Sequence, residues 1–64
     1  MQKIVAIVND DPITQTELDE RTKLIAFFSN VSPEDYNQRV KIRKIAIENL
    51  IDEELLSQQE KALG

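Results

Sequence analysis

The chain has 64 residues, 31% of them charged and 41% hydrophobic, a net charge of −4 and neither Cys nor His. That composition excludes a disulfide-stapled scaffold and a zinc site of cysteine or histidine, and the acidic balance leaves no cationic excess for neutralising phosphates, so nucleic acid is not an expected partner. A chain this short buries too little apolar surface to leave much net stability without a staple, so oligomerisation or a missing segment is expected.

Lys3 to Val8 reads K-I-V-A-I-V, a continuous β-branched run that predicts a short strand with Ile4, Ala6 and Val8 on one side. Its apolar part, Ile4 to Val8, is the longest such run in the chain. It falls far short of the roughly 20 residues that span a bilayer and is shorter than an export signal, so no membrane insertion is expected. Asn9-Asp10-Asp11-Pro12 is a cluster of turn formers that stops the strand, after which Ile13 and Thr14 pair back on Val8 in a minimal hairpin over 3–14. Such a hairpin needs helices packed against it.

A first helix is predicted over about 15–28. Its cap is Thr14, with Glu17 at capping-box spacing, or Thr16, with Asp19 in a weaker copy. Leu18, Thr22, Ile25 and Phe28 form an apolar line that Leu24 and Phe27 widen towards the C-terminal end. Glu17 with Arg21 and Asp19 with Lys23 are favourable pairs one turn apart. Ser29-Asn30-Val31-Ser32-Pro33 breaks this helix and starts the next, with Ser32 as cap, Pro33 at the first helical position and Glu34 and Asp35 in the first turn.

The second helix, about 33–63, is the element the rest must cover. One apolar stripe runs Val40, Ile47, Ile51 and Leu55, and another runs Ile42, Ile45, Ala46 and Leu50. A helix so broadly apolar requires cover on more than one side. With no repeat, low-complexity segment or linker inside it, residues 1–64 read as one mostly α domain: hairpin, helix, short loop, long helix.

Reactive chemistry is poorly represented. Asp10-Asp11 lacks the spacing of a calcium loop and reads as a turn. Asp52-Glu53-Glu54 are consecutive on a helix, point about 100° apart and do not converge on one substrate. Arg39, Lys41, Arg43 and Lys44 are able to meet phosphate, but Asp35 and Glu48 beside them favour a surface helix laced with ion pairs. Without His or Cys the usual base and nucleophile pair is missing, so no enzyme, cofactor or metal is expected.

The stretches I-V-A-I-V-N-D-D-P-I-T-Q-T-E-L-D-E-R, Ile4 to Arg21, and I-E-N-L-I-D-E-E-L-L-S-Q-Q-E-K-A-L-G, Ile47 to Gly64, resemble the N-terminal module of the SurA-type periplasmic chaperones. The first resembles that family's opening strand, turn, short I-T strand and acidic helix start, and the second its L-I-D-E-x-L-L helix. The resemblance implies a periplasmic module that binds unfolded or partly folded outer-membrane polypeptides and is often attached to parvulin-type peptidyl-prolyl isomerase domains. Residues 1–64 are expected to hold neither a parvulin domain nor the further helices that complete the family's chaperone module. Isomerase activity is therefore not carried over.

The expectation is a binding module that holds polypeptide clients by non-directional apolar contact. Leu24, Phe27, Phe28, Ile47, Leu50, Ile51 and Leu55 are the candidate client or dimer face. A homodimer is expected, one form of it exchanging hairpin and first helix across 29–33. The rival reading is a structural dimerisation element with no client.

Overall fold

The computed structural model describes residues 2–32 and 34–64. Two antiparallel strands, β1 (Ile4–Val8) and β2 (Asp11–Thr14), lead into helix α1 (Gln15–Ser29) and then the long helix α2 (Tyr36–Leu63).

The hairpin closes more tightly than the turn-former cluster suggests. Val8 pairs with Asp11, leaving Asn9 and Asp10 as a two-residue loop with φ of 48° and 76°. Positive φ at both positions makes it the I′ geometry, whose twist matches that of the strands, and Asn and Asp tolerate it at modest cost. Pairing therefore begins at Asp11 rather than at Ile13, and Pro12 lies within β2 opposite Ile7. Next to the pair that closes the turn, an antiparallel ladder leaves its N–H groups pointing outward, so proline forfeits no bond there. An irregularity between Ile4 and Ala6 breaks the alternation. As a result Val8 is buried while Ile4, expected on the same side, is exposed.

Thr14, not Thr16, caps α1. Its hydroxyl accepts from the Glu17 backbone N–H at 3.2 Å while the Glu17 carboxylate accepts from the Thr14 N–H, which completes the capping box. The Gln15 N–H donates to the Lys3 carbonyl at 2.7 Å and ties the helix start to the strand start. At the far end Asn30 adopts φ 56°, its N–H bonds to the Phe27 carbonyl, and the Val31 N–H reaches the Ala26 carbonyl. This is a Schellman stop with Asn in the usual glycine position.

The second helix starts later than the sequence suggests. Asp35, not Ser32, is its cap, accepting from the Gln38 N–H at 3.2 Å, and Tyr36 is its first residue. Ser32 is spent on local bonds instead: its hydroxyl accepts from the Glu34 N–H and its carbonyl from the Asp35 N–H. The helical role expected of Pro33 lies outside the described residues.

Val8, Ile13, Leu18, Ile42 and Ala46 form the buried core, one or two residues from each element. Gln58 fastens the hairpin to the C-terminal half of α2. Its Nε2 donates to the Val8 carbonyl at 2.7 Å and to Asp11 at 2.9 Å, and its Oε1 accepts from Asn9 at 3.0 Å, so a single amide holds both sides of the turn. Arg21 and Glu53 form a two-pronged bond between the helices, the second prong 2.9 Å long.

The result is thin, 42 × 26 × 14 Å, with a radius of gyration of 13.2 Å where a compact chain of this length would have about 10.7 Å.

Candidate functional site

The seven candidate residues do not form one face. Leu24, Phe27 and Phe28 are exposed by 50%, 79% and 77%, and the two phenyl rings meet edge to face with centroids 5.6 Å apart. On α2, Ile47, Leu50 and Ile51 are half-buried in the chain's own packing, and only Leu55 reaches the exposed range. Phe28 departs from the expected apolar line of α1: Leu18 is buried and Ile25 half-buried, whereas Phe28 in the last turn is exposed.

Helix α1 lies across α2 and has a depression on each flank. On one flank Leu24 meets Leu50 among Glu17, Glu20, Arg21 and Glu53. Three acids against one arginine, itself committed to Glu53, give this flank a negative rim. The Arg21 hydrogen bond is the main reason the Glu53 carboxyl lies below its ordinary value; partial desolvation opposes that shift and the cation's charge adds to it. Arg21 is raised in return.

The other flank faces the N-terminal half of α2. Three depressions there share walls. One of about 320 Å³ is lined by Thr22, Tyr36, Arg39, Val40 and Arg43. A second of about 140 Å³ adds Lys23, Ala26, Val31 and Ile42. A third of about 480 Å³ continues past Ala26 and Val31 to Phe27 and Asn30. Together they make a groove with a floor of Ala26, Val31 and Ile42 and aromatic residues at its ends. Every charged residue lining it is a cation: Lys23, Arg39 and Arg43.

The ion pairs expected on both helices are not formed. Glu17 belongs to the cap, Asp19 accepts from Gln15, Arg21 reaches Glu53, and Asp35 caps α2 while the Arg39 guanidinium lies 5.8 Å from the Tyr36 ring centroid. Among the described residues Arg21–Glu53 is the sole ion pair, which leaves the groove cations without carboxylate partners. An i, i+3, i+4, i+7 pattern confined to apolar residues does not contain the groove. Tyr36, Arg39, Val40 and Arg43 satisfy it as a mixed stripe, while Lys41 and Lys44 fall off it.

The acidic run on α2 diverges as expected: Glu53 bonds to α1 and Glu54 to Gln58. Asp11 likewise serves the turn through Gln58.

The chain is similar to uncharacterised proteins of three rickettsiae: 46% identical over 55 residues to one from Rickettsia bellii, 41% over 58 residues to one from Rickettsia prowazekii, and 43% over 58 residues to one from Rickettsia typhi. These matches cover 86–91% of this chain but only 19–20% of each relative, so the chain spans about a fifth of the length of the curated relatives it matches. No family model matches the chain. No solved structure matches it.

Proposed function

We propose that the chain is a non-catalytic module that holds unfolded or partly folded polypeptide by apolar contact, with outer-membrane polypeptides in the periplasm as the client class its SurA-type resemblance implies. The observation that carries this reading is the exposed aromatic end of α1, where Phe27 and Phe28 stand in contact with each other and largely in water. Large apolar side chains left together on a surface mark sites of interaction. Burial scales with area rather than with a donor and acceptor pattern, which suits clients of varied sequence. The reading assigns these residues no isomerase chemistry.

The test is aggregation of a urea-unfolded outer-membrane barrel protein on dilution, followed by light scattering with increasing amounts of the chain. Wild type is expected to delay scattering, and Phe27→Ser/Phe28→Ser to lose most of that effect while keeping its helical circular dichroism and melting curve. Equal protection by the double variant would remove the aromatic end from the client face.

A second reading, a dimerisation element without a client, is favoured by surface area. The chain exposes 5190 Å², against about 4,200 Å² for a compact protein of its mass. The excess, on the order of 1,000 Å², compares with the roughly 800 Å² that each partner contributes to a standard interface.

A further inference from the structure

We infer that the groove between α1 and the N-terminal half of α2 selects polypeptide segments in which an apolar stretch is flanked by carboxylates. This rests on the polypeptide-binding reading and specifies the client's charge. The floor, Ala26, Val31 and Ile42, takes apolar side chains, and Phe27 and Tyr36 extend that contact at the ends. The rim is cationic on both sides, Lys23 from α1 and Arg39 and Arg43 from α2.

None of these cations is neutralised by a carboxylate among the described residues, and a guanidinium is suited to a two-pronged carboxylate bond. The Arg39 guanidinium lies 5.8 Å from the Tyr36 ring centroid, a contact that favours one orientation of the side chain at the groove. Charge also separates along α2. Arg39, Lys41, Arg43 and Lys44 precede Glu48, whereas Asp52, Glu53, Glu54 and Glu60, against the one cation Lys61, lie in the other half. A client with carboxylates is therefore drawn to the groove and repelled from the acidic flank on the far side of α1, which fixes where it docks. A polynucleotide fits less well, because its continuous negative charge meets a chain of net charge −4 and its backbone has no use for an apolar floor.

The test is fluorescence anisotropy with two labelled peptides sharing the same Leu and Phe positions, one with Glu and one with Lys between them, and a single-stranded oligonucleotide as competitor. At low salt the Glu peptide is expected to bind on the order of 10-fold more tightly than the Lys peptide, with the preference shrinking as salt is added. Arg39→Gln/Arg43→Gln should abolish the preference while leaving the apolar contribution. Lys41→Gln/Lys44→Gln, an equal charge change off the groove, should leave the preference intact.

Equal binding of both peptides, or equal loss from the two double variants, overturns the inference and leaves the polypeptide-binding reading standing. Failure to bind either peptide overturns both. Displacement by the oligonucleotide at lower concentration than by unlabelled Glu peptide overturns the inference in favour of a nucleic-acid groove. A stable dimer that Arg39→Gln/Arg43→Gln dissociates, and that peptide does not perturb, overturns it in favour of a second copy as the occupant.

Discussion

Arg21 and Glu53 join the two helices by the single ion pair among the described residues, and their energetics set how the fold responds to acid. Glu53 has its carboxyl lowered in the folded chain, chiefly by the hydrogen bond from Arg21. A lowered carboxyl contributes stability that is complete above its unfolded value, about 4.3, and is lost as pH falls through the folded value. Arg21 is raised, so its share is complete at neutral pH and lost only in strong alkali. The Glu53 side chain is 57% exposed, so solvent screening limits the pair to about 0.5 kcal/mol. Glu53→Gln should lower stability by that amount in urea denaturation at neutral pH, and the gap should close as pH falls through the lowered folded value and wild-type Glu53 becomes protonated too. A gap of the same size in acid would assign the effect to packing rather than charge. The core is far less forgiving. Ile13 is 2% exposed, and Ile13→Ala should cost about 2–5 kcal/mol, comparable to the whole net stability of so small a domain. A thermal scan by circular dichroism should show the cooperative transition lost or strongly lowered; an unshifted transition would remove Ile13 from the core.

Among the elements, the hairpin turn stores the clearest local strain. Asp10 is held at φ 76°, where glycine is favoured, so Asp10→Gly should stabilise the chain by about 0.5–1 kcal/mol. Asn9 is best left in place because its amide bonds to Gln58. A rise in the urea midpoint with an unchanged slope checks this, and a fall would mean that the Asp10 side chain contributes more than its backbone strain costs. The order and type of all four elements were legible in the sequence, because a β-branched run, a capping box and a broad apolar periodicity are local signals. Register was less so. The turn cluster holds four candidate residues, and only the pairing of Val8 with Asp11 decides that Asn9 and Asp10 form the loop. The start of α2 is ambiguous in the sequence for a similar reason: Ser32 and Asp35 both suit a cap, and the bonds Ser32 makes to Glu34 and Asp35 settle it. Of the candidate face, the exposed aromatic end could be named from the sequence. The groove could not, since which flank of α1 meets which half of α2 is a tertiary fact, and Arg21 reaching across to Glu53 overrides the pairing expected with Glu17.

At the scale of the whole molecule, the excess surface and the groove concern different parts of α2. Ile45, Leu56 and Leu63 are all exposed and recur at spacings that hold one helical stripe, away from the residues that line the groove. That stripe is where a second copy is expected to dock, leaving the groove open. Sedimentation over a concentration series should therefore show a monomer–dimer equilibrium in wild type and a monomer in Leu56→Asp, with peptide capture retained by the variant. Exchange kinetics distinguish docking from swapping. In the single chain Gln58 holds the hairpin and Glu53 holds α1, so two chains docked in that form would separate without unfolding. Mixing donor- and acceptor-labelled dimers should give energy transfer within seconds. Exchange as slow as global unfolding would mean that hairpin and α1 cross between chains, because the core must then open before partners change.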